Sequence, residues 1–341
     1  MKKIVFSSFI IITLVIGLLS FNKDSERNIK INGMSFVAPR NEISMNELMP
    51  LQKINAGWIA VIPYSYIRKG EAEVLYHPKR QHWGETPVGV AKTIEMAHNL
   101  NMKVMVKPHV WVSGQGWAGD FELDSEEKWQ IWEESYSRYI LTFAQLADSI
   151  NAELFCIGTE FRKAVVQRPD YWKGLIKKVK EVYKGKITYA ANWDNFENVP
   201  FWEDLDYIGV DAYFPISEEK TPTKNLLIGR WTENKNQLKA QSDEYDKPIL
   251  FTEFGFQSVD FTTDGHWKFN QDTLAVNLNS QAHAFDATFD VFWKEDWFAG
   301  GFVWKWHSNH ESIGGFDCKR YTPQNKPAES VIKDWFSKKA I

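Results

Sequence analysis

Cysteine is nearly absent from this 341-residue chain. The two present, Cys156 and Cys318, lie far apart, which excludes a disulfide-stapled scaffold and leaves a thiol on an apolar strand to be read as a small core residue. A surplus of one charge sign is also missing. The 40 basic and 44 acidic residues leave a formal charge of −4, without the positive excess that nucleic-acid binding needs, so no nucleic-acid partner is expected. Metal signatures are lacking. There are eight His but no HExxH, no pair of CxxC motifs and no EF-hand spacing, and the His307/His310 pair reads equally well as a loop contact. No GxSxG marks a serine nucleophile, and no glycine-rich phosphate loop follows the first strand-like segment. Neither a metal nor a cofactor is expected.

Long hydrophobic runs are absent apart from residues 4–19, which follow Lys2 and Lys3 and precede a polar stretch. That order is the basic and apolar regions of an export signal. The run falls slightly short of the roughly 20 residues that cross a bilayer. No small-x-small cleavage site and no cysteine for lipid attachment follow it. Residues 1–22 are therefore read as a signal peptide or an uncleaved membrane anchor, placing the protein in the periplasm, outside the cell or on the envelope. The remainder, residues 30–341, shows no linker and no shift in composition, and reads as one domain acting as a monomer.

What the chain has in quantity is tryptophan, 16 residues. Its flat apolar face suits both core packing and stacking on the C–H faces of sugars. Short β-branched or apolar runs at 31–37, 58–63, 103–109, 153–158, 186–191, 205–210, 248–252 and 300–304 alternate with amphipathic stretches at 44–55, 88–100, 125–149, 170–183, 225–244, 271–290 and 325–338. Eight strand-helix units in a chain of this size predict a parallel sheet closed into a single (β/α)₈ TIM barrel. Chemistry on that scaffold sits at the carboxyl ends of the strands. Glu160 and Glu253 close the fourth and seventh predicted strands, on opposite sides of a barrel mouth. Two such carboxyls suit a retaining glycosidase, one protonated acid and one ionised nucleophile. Pairing of either with a nearby cation such as Arg162 is the structural alternative.

The segments Ile157-Gly158-Thr159-Glu160-Phe161, Asp211-Ala212-Tyr213-Phe214-Pro215, Phe251-Thr252-Glu253-Phe254-Gly255 and Phe302-Val303-Trp304-Lys305-Trp306 together resemble glycoside hydrolase family 113. These are retaining β-1,4-mannanases of a clan of barrel glycosidases. The likeness implies an O-glycosyl hydrolase in which Glu160 is the acid/base and Glu253 the nucleophile. It implies also that Tyr213 hydrogen-bonds the nucleophile and that Trp304 is the floor under the sugar in subsite −1. Much of the clan carries Asn before the acid/base to bond the substrate 2-hydroxyl, whereas this chain has Thr159. Asn192, at the end of the fifth strand, is the candidate replacement.

The other candidates are weighed by position. Lys107 and His109 end the third strand, where they bond sugar hydroxyls or form salt bridges. Trp111 and Trp117, in the long segment that follows, are expected to line a glycan subsite. Trp193 has a strand-end location beside Asn192, and Trp83 is the candidate from the segment after the second strand. Trp129, Trp132, Trp172, Trp202, Trp293 and Trp335 fall on helical segments and read as core. The expected substrate is a β-linked polysaccharide or oligosaccharide, mannan first. The competing readings are a related barrel glycosidase acting on another β-linked glycan such as glucan, and a non-catalytic barrel that only binds glycan.

Overall fold

The computed structural model describes residues 30–338, except 116 and 266. The leader, 1–22, lies outside the described residues. Eight strands close a parallel barrel in chain order: β1 (Ile31–Phe36), β2 (Trp58–Val61), β4 (Lys103–Val106), β6 (Leu154–Thr159), β7 (Lys186–Asn192), β8 (Ile208–Asp211), β9 (Ile249–Phe254) and β10 (Phe298–Trp306), with β10 returning to pair with β1. It is a (β/α)₈ TIM barrel. Every residue of β6, β8 and β9 is buried, because a barrel strand packs against helices on one face and the interior on the other. The two-residue alternation divides the core. Ala60, Met105, Leu154, Cys156, Ala190, Leu250 and Phe302 fill the interior, while the intervening Ile59, Val104, Phe155, Ala191, Phe251 and Val303 face the helical layer.

The helices follow their caps. The short α1 (Met49–Lys53) is followed by α2 (Pro87–Asn99), where Thr86 accepts from the Gly89 N–H and Pro87 opens the first turn. The long α3 (Glu126–Ser149) starts at Ser125 and buries Trp129, Trp132, Tyr136, Ile140 and Phe143 along one stripe. The tryptophans expected in the core, Trp129, Trp132, Trp172, Trp202, Trp293 and Trp335, are all buried. No helix among the described residues is long and apolar enough to cross a membrane.

Four details differ from the sequence reading. The segment 271–290 makes one 3₁₀ turn, Gln271–Thr273, and is α-helical only from Leu278, because Asn277 caps the Ser280 N–H and so starts the helix there. The stretch 225–244 is two helices, Lys224–Arg230 and Thr232–Tyr245, that meet at Trp231. The unit after β7 has no helix; its connection makes two single turns, Phe196–Asn198 and Trp202–Asp204, pinned by Trp202 Nε1 donating to the Phe196 carbonyl at 2.8 Å. Finally, the segments after β2 and β4 are partly extended. Beyond Pro63 and Pro108, whose missing N–H groups interrupt the strands, β3 (Tyr64–Arg68) and β5 (His109–Ser113) form a second parallel sheet.

Candidate active site

Both strand-end glutamates follow a break in strand register. Val210 and Asp211 of β8 pair with Phe251 and Glu253 of β9, so one extra residue, Thr252, is accommodated in β9. Likewise Cys156 and Thr159 of β6 pair with Thr188 and Ala190 of β7, again with one residue to spare on the carboxyl side. Such bulges at a barrel rim re-aim side chains. In β9 the result is that the adjacent Thr252 and Glu253 both make polar contacts at the mouth, Thr252 Oγ1 to Asp211 and Glu253 Oε2 to Tyr213. Glu160 itself has φ +54°, a left-handed conformation that costs an L-residue roughly 1–2 kcal/mol. Its N–H bonds the Ala190 carbonyl at 2.8 Å, which ties the turn to β7.

Glu160 and Glu253 line one cavity of 840 Å³ together with Tyr213, Trp304, Asn192 and His109. Their surroundings are opposite. Glu253 accepts from Tyr213 Oη at 2.8 Å on Oε2 and from Lys107 Nζ at 2.5 Å on Oε1, with His109 Nε2 3.3 Å from Oε1. Burial alone would raise its pKa, but the Lys107 charge and the contacts with His109 and Lys107 outweigh burial and hold it down at about 2. Glu160 accepts from a neutral donor, Trp117 Nε1, at 2.7 Å. Burial, then the negative charges of Asp211 and Glu253, push its pKa well above the ordinary carboxyl value. The surroundings thus favour the ionised form of Glu253 and the protonated form of Glu160. That pairing is what protonation of a leaving oxygen and attack at the anomeric carbon demand.

The cationic alternative for Glu160 does not arise: Arg162 pairs with Asp120 at 2.8 Å and Asp194 at 2.9 Å, and its guanidinium lies 4.8 Å from the Trp117 ring centre. It staples the segment carrying Trp117 to the end of β7. Asn192 Nδ2 donates to Asp194 Oδ1 at 2.6 Å, and both residues line the cavity. The Thr159 hydroxyl is buried at the same wall.

The other expected residues divide. Trp304 stacks nearly parallel to His109, with ring centres 6.2 Å apart and planes 2° off. Trp111 stands on β5, 48% exposed at the cavity wall, and Trp193 stacks on Trp267 at 5.4 Å. Two are placed elsewhere. Trp83 sits in a turn ahead of α2, its N–H on the Arg40 carbonyl, and does not line the cavity. Lys107 is completely enclosed and directs its ammonium to Asp211 and Glu253, so it meets these carboxylates in place of sugar hydroxyls. Truncating it to Met strands two buried carboxylates face to face. Lys107→Met is expected to lower stability by about 3–5 kcal/mol, read as a large fall in Tm; an unchanged Tm would show that the pairing contributes nothing.

The sequence reading has no role for Asp211, although it carries the same signal as the two glutamates, an acid closing an apolar strand. Tyr321 and Trp267, also at the cavity, lie in irregular connections where no periodicity marks them. Among the described residues no group of three or more His, Cys, Asp or Glu is placed to hold a metal ion.

The model of glycoside hydrolase family 113 matches residues 34–319. The chain belongs to that family. It is a glycoside hydrolase, and similar solved structures agree. The family-113 β-mannanase AaManA of Alicyclobacillus acidocaldarius, in complex with ManMIm, is 27% identical, superimposes with a TM-score of 0.78, and is matched over 90% of this chain and 97% of its own. A family-113 β-1,4-mannanase complex is 25% identical with a TM-score of 0.76, over 91% and 99%. A β-glucuronidase from Ruminococcus gnavus, 12% identical with a TM-score of 0.61, covers 91% of this chain and 50% of its own, and shares the fold alone. No curated protein matches the sequence at a significant level.

Proposed function

We propose that this family-113 glycoside hydrolase cleaves β-1,4-linked mannan or manno-oligosaccharides by double displacement. Glu160 donates its proton to the glycosidic oxygen as that oxygen leaves, and Glu253 forms a bond to the anomeric carbon. Glu160, now ionised, then takes a proton from the water that releases the sugar with its original configuration. The observation that carries the reading is the contrast between two strand-end carboxyls opening on one cavity, Glu253 met by Lys107, His109 and Tyr213 and Glu160 buried against the neutral Trp117 indole. The Trp304 ring supplies an apolar floor for a sugar, and the polar wall of Asn192 and Asp194 supplies partners for hydroxyls. The mannanases of similar structure favour mannan among β-linked glycans, whose epimers differ by one hydroxyl. The basic and apolar leader supports export.

The test incubates the protein with mannan, glucomannan, cellulose and xylan and follows newly formed chain ends by proton NMR before mutarotation. Release from mannan, with β-configured ends appearing first, is the expected result. First-formed α ends would reject double displacement. Preferential release from cellulose would move the substrate to glucan, and binding without release would leave a glycan-binding barrel.

A further inference from the structure

Asp211 closes β8 fully buried and takes no part in the two bond exchanges assigned to Glu160 and Glu253. Among the described residues its hydrogen bonds all come from donors. Lys107 Nζ lies 2.9 Å from Oδ1 and 3.1 Å from Oδ2, and Thr252 Oγ1 donates to Oδ1 at 2.7 Å. The same ammonium donates to Glu253 Oε1. A lysine head on its four-carbon stem is a mobile point charge. Here Asp211 engages it from one side and Glu253 from the other; Lys107 and Asp211 are enclosed, and Glu253 opens on the cavity.

We propose that Asp211 is a positioning residue for hydrolysis: it fixes the Lys107 ammonium against the nucleophile and sets a second fixed anion beside the acid Glu160. The proposal rests on the assignment of Glu253 as nucleophile and Glu160 as acid/base. Charge balance gives it a reason. With Glu160 protonated, Lys107, Asp211 and Glu253 sum to one negative charge. When the Glu253 oxygen bonds the anomeric carbon and the glycosidic bond breaks, the Glu160 proton leaves on the departing oxygen and Glu253 becomes a neutral ester. Lys107 and Asp211 remain a neutral pair and Glu160 carries the single negative charge. The enclosed set therefore holds the same total through both half-reactions, and no second uncompensated anion is ever buried.

The titratable and polar groups facing this set are Glu160 and Cys156 on the β6 side, Tyr64 on β3, His109 on β5, Tyr189 on β7, Tyr213 after β8, Thr252 on β9, Lys305 on β10 and Tyr321 beyond it. Burial and the Glu253 charge raise the Asp211 carboxyl, while Lys107 on both of its oxygens and the Thr252 hydroxyl favour the ionised form. The Asp211 charge in turn follows burial as a cause of the raised Glu160 value. Burial lowers His109 and Lys305 and raises Cys156 to about 12, so the thiol is neutral at working pH. The three carboxyls titrate as a set.

The test is the pH dependence of kcat/KM on a manno-oligosaccharide for Asp211→Asn, which keeps the shape and removes the charge. Lys107 then acts on Glu253 undivided, and Glu160 loses a neighbouring anion. Both limbs of the profile are expected to move to lower pH by about 1 unit, with about a tenfold loss on the alkaline side and KM unchanged. Thr252→Val, which removes only one donor from Asp211, is expected to move the limbs the same way by less. Limbs that stay in place while kcat falls would give Asp211 a packing role only and overturn the proposal. If Asp211→Asn does not fold, Thr252→Val decides by the same criterion. Glu253→Ala runs alongside: activity in that variant overturns the assignment of the site itself, whereas an inactive Glu253→Ala with unmoved limbs in the other variants overturns only the role of Asp211.

Discussion

Glu253→Ala is expected to lower kcat on mannan by on the order of 10⁴-fold or more, the scale at which loss of a covalent nucleophile leaves only binding and the remaining groups at work. The expectation follows from what surrounds the carboxylate. Tyr213 Oη, Lys107 Nζ and His109 all converge on its two oxygens. Substrate contacts on Trp304 and the Asn192 wall remain, so KM is expected to change little. The cavity left by truncation also offers a positive readout. Azide entering from the Glu253 side displaces the leaving group once, and with an activated β-mannoside carrying a phenolate leaving group it should yield an α-configured mannosyl azide. A β-configured azide, or activity that survives without any added nucleophile, would remove Glu253 from the role.

The legible part of the molecule was the part governed by periodicity. All eight barrel strands announce themselves as apolar runs because both of their faces are buried, and a residue that closes such a run, as Glu160 and Glu253 do, sits at the mouth by construction. Tyr213 and Trp304 follow the same logic from strand-end motifs. The misplaced residues depend on geometry that no spacing encodes. Lys107 lies within two residues of His109 on either side of Pro108, yet its side chain ends inside the barrel rim between Asp211 and Glu253, while the His109 ring lines the cavity. The extra residues at Thr252 and before Glu160, which turn the functional side chains, appear only when the strands are paired. Trp117 reads from sequence as a sugar platform; in the structure its indole N–H is committed to the acid, and only the pairing of Arg162 with Asp120 and Asp194 explains why it stands there.

Glu160→Gln is expected to separate function from stability. On mannan, whose leaving oxygen needs a proton, the loss should reach about 10²–10⁴-fold. A substrate with an acidic phenol as leaving group needs no such help, so its first step should persist and the glycosyl-enzyme should accumulate as a burst. Azide added to Glu160→Ala attacks that intermediate from the face opposite Glu253 and should give a β-configured azide, the mirror of the outcome at Glu253. Stability should move in the other direction. The folded-state pKa of Glu160 lies above its unfolded value, because burial comes first among the causes and Asp211 and Glu253 add to it. Above about pH 4.3, where a free Glu ionises, the unfolded chain therefore releases this proton while the folded chain keeps it, and stability falls with rising pH until the folded value is passed. Glutamine has no proton to keep. The variant should match the parent in Tm below pH 4, exceed it increasingly toward neutrality, and remain the less active enzyme throughout; a Tm difference independent of pH would mean that the acid is not held protonated by its site.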